Sequence, residues 1–262
     1  MGYNMFTTLN IRYELADVFQ AFNQSNLNGK LIVVMLLAGS IFAWSIMITK
    51  FLECKNVKRL SELFLRQYKK QPFLTRIFAG AAGSQESSPL LSIYTKVCER
   101  LAVMLKAQNS DIIEFFSGTL QTGFVSLKES EIQILRETAD QTVIEESLAL
   151  EKNMGFLAIA VTAAPFLGLL GTGWGVMDAF GGIAVAGSTT LSAIAPGISS
   201  ALLTTVVGLL VALPSVIGYN ILTHRIRNMV VGMEGFAIDL VADLESKLIQ
   251  SQGNSKWHAN LD

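Results

Sequence analysis

The chain has 262 residues, of which 51% are hydrophobic and only 16% are charged, and its mean hydropathy is +0.44. A soluble domain usually carries about 25% charged residues, so the composition disfavours an ordinary water-soluble enzyme. The net charge of −1 offers no basic surface for nucleic acid, and 2 cysteines and 2 histidines leave little material for a disulfide framework or a metal site. We therefore expect no metal, no cofactor and no nucleic-acid partner.

Long uncharged stretches predict three helices that cross a lipid bilayer. Residues 31–49 and 153–177 hold 19 and 25 uncharged residues, and one crossing helix needs about 20 apolar residues. The third stretch, 179–223, has 45 uncharged residues, which is too long for one span. Its first part is rich in glycine, serine and threonine, which predicts a loop, so the third span begins near Pro196.

The basic residues predict how these spans are oriented. The segment 50–153 holds 14 of the 20 Lys and Arg residues, four more follow the third span, and 179–195 holds none. Lys and Arg concentrate on the cytoplasmic side of membrane proteins. We therefore expect the middle segment and the C-terminus in the cytoplasm, and the N-terminus and 179–195 on the outer side of the membrane.

Helices are also predicted outside the spans. Apolar residues between Ile11 and Phe22 share one helical face, which is typical of a helix lying in the membrane interface, although a loose tail is the alternative. Ser88 before Pro89 forms the N-cap signature of a helix that reaches about Ala107.

The next predicted helix begins at a second capping signature. Asp111, followed three residues later by Glu114, resembles a capping box. We expect the helix it opens to continue without a break through Lys152 into the second span.

These elements give the predicted fold class, an all-α membrane protein of three transmembrane helices with long cytoplasmic helical extensions. No alternation of apolar and polar residues predicts a strand, and no phosphate loop, GxSxG or His/Cys/acid cluster predicts an enzyme. The predicted segments are an N-terminal interfacial helix (1–30), the first span (31–51), a cytoplasmic helical domain (52–153), the second span (154–178), a periplasmic loop (179–195), the third span (196–222) and a cytoplasmic C-terminal helix and tail (223–262).

Small residues form one stripe on each of the last two spans. Gly168, Thr172 and Gly175 share a face of the second span, and in the third span a stripe recurs with spacings of four, three, four and three residues: Ala201, Thr205, Gly208, Ala212, Ser215. Small residues let membrane helices approach closely, and hydroxyls bond across the contact. Two interpretations remain open, tight packing within one bundle, or a hydroxyl-lined face that borders an ion path or receives a partner helix.

Titratable residues are missing from the middle of every span. Proton carriers usually need such a group within the membrane, and Asp178, at the outer end of the second span, is the one candidate. It is either an acid at the outer mouth of a pathway or a plain interfacial residue. If the chain conducts protons, we expect another subunit to supply the carboxylate.

Two sequence blocks resemble a known family. The runs AAPFLGLLGTGWGVMDAF (163–180) and APGISSALLTTVVGLLVALPSVIGYN (195–220) are similar to the paired membrane signature of the MotA/TolQ/ExbB proton channel family, most like its TolQ and ExbB branches. The resemblance implies a multi-pass protein of the Gram-negative inner membrane. It also implies a pentamer around a dimer of a single-span TolR/ExbD-like subunit, which carries the essential Asp and works with a TolA- or TonB-like protein.

The resemblance also implies functional residues. The two pore threonines of the family fall on Thr172 and Thr205, and its glutamate in APGIxEAL falls on Ser200, which is not ionisable. The predicted proton pathway comprises Thr172, Thr205, Thr204, Ser200 and Ser199. The predicted helix-packing or partner-facing residues are Pro165, Gly168, Gly175, Ala201, Gly208, Ala212 and Pro214.

The function implied is a stator subunit that couples proton flow to mechanical work on the cell envelope. The serine at position 200 keeps open a second function, a non-conducting membrane scaffold of the same family. A flagellar MotA-type stator is the third and least favoured, because proteins of that type have four spans.

Overall fold

The computed structural model describes residues 22–23, 25–70, 88–107, 127–187 and 190–258. In these ranges the chain forms five long α-helices and no β-strand. The helices are Leu27–Lys70 (α1), Pro89–Ala107 (α2), Glu129–Glu151 (α3), Met154–Ala186 (α4) and Leu191–His258 (α5). The all-helical prediction is confirmed for this part of the chain.

Three of these helices are long and apolar enough to cross a membrane. Among the described residues they are Leu27–Lys69, Met154–Ala186 and Leu191–Ser246. Each contains one of the three predicted spans. The apolar residues in such a span lie on all sides of the helix, so many large ones remain on its surface, as is typical where lipid rather than water is the solvent.

The predicted start of α2 is confirmed, and α3 also has a local start signal. The backbone N–H of Leu91 donates to Ser88 Oγ (3.2 Å), and Pro89 occupies the first helical position, where its missing N–H costs nothing. At the start of α3, the N–H of Lys128 donates to Glu131 Oε2 (2.8 Å). The predicted interfacial helix near Ile11 and the predicted capping box at Asp111 lie outside the described residues.

The prediction of one continuous helix from the cytoplasmic segment into the second span is wrong. α3 ends at Glu151, and α4 begins at Met154. Between them Asn153 has φ 69°, a left-handed conformation that the short amide side chain of asparagine tolerates better than most residues do. The helix is therefore interrupted at residues 152 and 153.

The prediction of a loop over all of 179–195 is also wrong in its secondary structure. α4 continues to Ala186, and α5 begins at Leu191. Gly182, one of the glycines that predicted a loop, allows close helix contact instead, because a Cβ added there would lie 2.6 Å from the carbonyl oxygen of Ala193. The turn itself begins at Gly187, with φ 64°, whose N–H donates to the carbonyl of Ile183 (3.0 Å).

The chain divides into two compact units. Unit 1 comprises Met1–Lys50 and Asn153–Leu222, and unit 2 comprises Phe51–Lys152 and Thr223–Asp262. Unit 1 has a buried apolar cluster drawn from α1, α4 and α5: Ile32, Leu36, Ala164, Val211, Ala212.

Unit 2 is held by larger side chains. α2 buries one face completely, including Ile93, Val97 and Leu101. Four aromatic rings from α1, α2 and α5 meet with centroid separations of 5.4–6.2 Å, within the range of favourable aromatic pairs: Phe64, Tyr68, Tyr94, Phe236. The hydroxyl of Tyr68 donates to Asp243 Oδ2 (2.8 Å).

Candidate functional site

Glycines bring α4 and α5 into backbone contact within unit 1. A Cβ added to Gly175 would lie 2.7 Å from the Cβ of Ala201, and one added to Gly208 would lie 2.7 Å from the carbonyl oxygen of Ala164. Real Cβ atoms essentially never approach so closely. Without side chains at these positions the two helices can pack closely through van der Waals contact, the main attraction available between helices in lipid.

The hydroxyls of Thr172 and Thr205 meet in the middle of this contact. The two Oγ1 atoms are hydrogen-bonded to each other. Thr172 Oγ1 also lies 3.2 Å from the carbonyl oxygen of Gly168 and 3.4 Å from that of Ala201. Thr205 Oγ1 lies 3.3 Å from each of the same two carbonyls. Each threonine thus contacts the carbonyl one turn back in its own helix and one carbonyl of the other helix.

This cluster has more acceptors than protons. Two hydroxyls carry two protons, and each hydroxyl also has two lone pairs that can accept. The protons can therefore occupy more than one arrangement over the same oxygen positions. Both side chains are half-buried rather than buried, so part of the cluster remains open to a group outside the chain. Chemically, it can donate to a carboxylate or accept from a protonated acid or a water.

Thr204 is buried and plays a different part. It is 0% exposed, and its hydroxyl donates to the carbonyl of Ala201 (2.8 Å). Its side chain fills the space that a side chain at Gly171 would need. This environment favours a packing role for Thr204. Gly171, which the sequence interpretation did not select, lies midway in the Gly168–Gly175 stretch, and its spacing was the available signal.

The structure places Ser200 away from the threonine pair. Ser200 is 2% exposed, and a Cβ added to Gly29 of α1 would lie 2.5 Å from its hydroxyl oxygen. The serine therefore fills a helix contact inside unit 1, which argues against a pore-facing position in this conformation. Its neighbour Ser199 is half-buried. The pathway role of both serines stays a prediction.

Asp178 is half-buried on α4 and does not join the cluster. It lies six residues beyond Thr172, which corresponds to about 9 Å along the helix axis and a rotation of about 240°.

Of the predicted packing residues, two prolines (Pro165, Pro214) are half-buried, and five residues are buried: Gly168, Gly175, Ala201, Gly208, Ala212.

In unit 2, the surroundings of Glu145 and Cys98 shift the pKa values of these two side chains. Lys96 Nζ lies 2.5 Å from Glu145 Oε2, and this hydrogen bond lowers the pKa of the Glu145 carboxyl. Burial raises the pKa of the Cys98 thiol to about 12, so the thiol is neutral and poorly reactive at pH 7. Among the described residues, no group of three or more His, Cys, Asp or Glu side chains could hold a metal ion.

Comparison with known proteins places this helix pair in a family. The sequence profile of the MotA/TolQ/ExbB proton channel family matches residues 107–235, which include the end of α2, α3, α4 and most of α5. The chain belongs to this family. The matched residues include both threonines of the cluster.

Individual members of the MotA/TolQ/ExbB family resemble the chain at moderate identity. It is 28% identical over 202 residues to the Tol-Pal system protein TolQ of Haemophilus influenzae, covering 75% of this chain and 80% of that protein. It is 29% identical over 220 residues to the biopolymer transport protein ExbB of Pseudomonas putida, covering 84% and 60%. With the TolQ of Pseudomonas aeruginosa it shares 38% identity over 106 residues, covering 40% and 46%.

Proposed function

We propose that this chain is a proton-conducting stator subunit that converts proton motive force into mechanical work on the cell envelope, in a system of the Tol-Pal or TonB type. The observation that carries the proposal is the half-buried Thr172–Thr205 hydroxyl pair of a proton channel family member. The two threonines lie on α4 and α5, in the uncharged stretches 153–177 and 179–223. The names of the similar TolQ and ExbB proteins support the two candidate systems.

The proposed topology follows the charge distribution. The three apolar helices cross the inner membrane of a Gram-negative cell, with the N-terminus in the periplasm and the C-terminus in the cytoplasm. The basic middle segment 50–153 supports the cytoplasmic position of that segment. The turn at Gly187, between α4 and α5, is then periplasmic.

The titrating acid comes from a partner in this proposal. Between residues 153 and 223 the chain has Asp178 as its single charged residue, and the structure does not bring it to the threonine pair. A TolR/ExbD-like single-span dimer, enclosed by a pentamer of this chain, supplies the carboxylate. A TolA- or TonB-like protein then carries the motion to the outer membrane.

The threonine pair acts on the charge of that acid. An ionised carboxylate is costly in an apolar environment unless donors pair with it. The two hydroxyls can turn their protons towards a carboxylate, and they can accept from the same group once it is protonated. Each proton that moves down the gradient releases about 2.3 kcal/mol per 100 mV, which is available to move the inner helices past the threonines.

Replacing the hydroxyls tests this role. Thr172→Val and Thr205→Val keep the branched shape and remove the donor, so we expect outer-membrane integrity or TonB-type uptake to fall about ten- to hundredfold in a strain that depends on the complex. Thr162→Val is the matched control, because Thr162 also bonds backbone carbonyls of α4 but lies on its exposed side. Wild-type envelope function in both cluster variants would contradict the proposal.

One observation favours the non-conducting scaffold as the second candidate. The residue at the family's glutamate position is Ser200, which packs against Gly29 rather than at the threonine pair. A scaffold predicts normal assembly, no proton flux and no sensitivity to Thr205→Val. The MotA-type stator is least favoured, since the described residues contain three candidate spans rather than four.

A further inference from the structure

Unit 2 contains a cavity of about 680 Å³ that the proposed function does not use. α1 and α5 form its walls, and the beginning of α2 closes one side with Pro89 and Leu90. Ligand pockets in proteins commonly have volumes of about 300–1,000 Å³, so this cavity is large enough to hold part of a ligand. Gly232 lines the cavity, and a Cβ added to it would meet no atom within 4 Å. A larger side chain can therefore be placed there.

The charged groups around the cavity are mainly basic. Lys55 and Lys58 from α1 and Arg225 from α5 line it, against one acid, Glu62. Glu62 lies 4.0 Å from Lys58, and both side chains are exposed. In the described part of the chain, no carboxylate forms an ion pair with Lys55 or Arg225. Two of the three cations therefore lack a carboxylate partner, and the cavity attracts anions.

The remaining lining is apolar and lies next to the ends of the uncharged stretches. Phe51 directly follows Lys50, where the first uncharged stretch ends, and Arg225 comes two residues after Thr223, the last residue of the longest one. The guanidinium carbon of Arg225 lies 4.2 Å from the centre of the Phe51 ring. α1 and α5 are therefore neighbours at the point where their uncharged stretches end. Further apolar lining comes from Leu65, Leu90, Met229 and Met233.

We propose that this cavity binds an anionic phospholipid of the bilayer. The headgroup phosphate pairs with Lys55, Lys58 and Arg225, and the apolar lining takes part of an acyl chain. Clustered Lys and Arg beside a membrane-crossing helix on the cytoplasmic side are a common basis for anionic lipid recognition. The inference uses the proposed membrane placement of α1 and α5 but not proton conduction, so its failure would leave the role of the threonine pair intact.

Lipid retention by the purified full-length protein tests the charge requirement. The detergent-solubilised protein is mixed with phosphatidylglycerol or with zwitterionic phosphatidylcholine, and retained lipid is counted by native mass spectrometry. We expect preferential retention of phosphatidylglycerol, weakened about fivefold by each of K55Q, K58Q and R225Q. R66Q is the matched control, because Arg66 is an exposed cation of α1 that does not line the cavity.

A filled cavity tests the site separately from its charge. Gly232→Leu places a side chain in the cavity, whereas Gly235→Leu adds the same side chain to open space on the same helix, outside the lining. We expect Gly232→Leu to abolish phosphatidylglycerol retention and Gly235→Leu to preserve it, with equal unfolding temperatures in phosphatidylcholine alone. Equal retention of both lipids by the wild-type protein would overturn the proposal, as would unchanged retention in Gly232→Leu. A photoreactive residue at position 232 that crosslinks to protein rather than to lipid would also overturn it.

Discussion

The two units of the chain are both helical, yet they pack by opposite means. Unit 1 brings α4 and α5 together by removing side chains, with glycine at Gly168, Gly171, Gly175 and Gly208. Unit 2 joins its helices with large side chains, including the four-ring aromatic cluster around Phe236. Buried and half-buried threonine hydroxyls lie at the glycine contacts of unit 1, whereas unit 2 has an exposed ion pair.

The difference follows from the solvent that each unit is proposed to meet. In water, burying a large apolar side chain releases about 25 cal/mol for each Å² of apolar surface, so large rings are efficient. Lipid gives no such gain, and close backbone approach with hydrogen bonds across the contact replaces it. The same close approach places the Thr172 and Thr205 hydroxyls beside two backbone carbonyls, so the packing itself builds the candidate site.

The largest loss of stability is expected from a substitution that breaks the packing of unit 2. Phe236 is 5% exposed and contacts Phe64 and Tyr68, so Phe236→Ala should lower the free energy of unfolding by about 3–5 kcal/mol. Ile238→Ala is the control on the same helix, because Ile238 is 68% exposed and should cost little. Chemical denaturation in detergent measures both. Similar losses in the two variants would show that the aromatic cluster is not what holds unit 2.

The next largest loss of stability is expected when the glycine contact between α4 and α5 in unit 1 is filled. Gly208→Leu introduces bulk against the backbone of Ala164, which cannot move aside as a flexible side chain would, and should cost at the upper end of about 1–3 kcal/mol. Gly173→Leu is the control on α4, since a Cβ there meets open space. The unfolding temperature in detergent separates the two. If both variants were equally stable, close approach of α4 and α5 would not be required.

The smallest effect is a pH dependence in unit 2. Lys96 lowers the pKa of Glu145 in the folded state, so the pair stabilises unit 2 above the carboxyl's ordinary pKa, and this contribution is lost as pH falls through the lowered value. Glu145→Gln should therefore reduce the unfolding temperature at neutral pH and not at strongly acidic pH. The reduction should be slight, because the ion pair is exposed.

The control for that measurement is Glu137→Gln. Glu137 is an exposed acid on α3 whose side chain is bonded to Gln133 rather than to a cation. The same loss for Glu145→Gln at every pH would contradict an ionic origin of the stabilisation.

Much of the fold is predictable because its signals are local. The absence of charge over 31–49 and 153–177 is enough to predict two apolar helices, and Ser88–Pro89 predicts the start of α2 at the residue where it begins. The stripes of small residues predict that Thr172 and Thr205 lie either at a helix contact or beside an ion path, and the family resemblance singles out these two threonines.

Other features depend on contacts between distant residues, which the sequence does not reveal. Gly182 has the same local signal whether it belongs to a loop or to a helix packed against Ala193, and only the second helix decides. Ser200 lies on α5 one turn from Thr204, but its partner Gly29 is far away in the sequence. No residue at the break near Asn153 forbids a helix, so the sequence does not predict where the helix is interrupted.

The role proposed for the Thr172 hydroxyl can be measured as proton flux through the reconstituted complex. Proteoliposomes that contain this chain and the proposed single-span partner are given a membrane potential, and internal pH is followed for the wild type, Thr172→Val and Thr172→Ser. We expect about ten- to hundredfold less flux in the valine variant and retained flux in the serine variant, which keeps the hydroxyl. Equal flux in the wild type and the valine variant would contradict the proposed role.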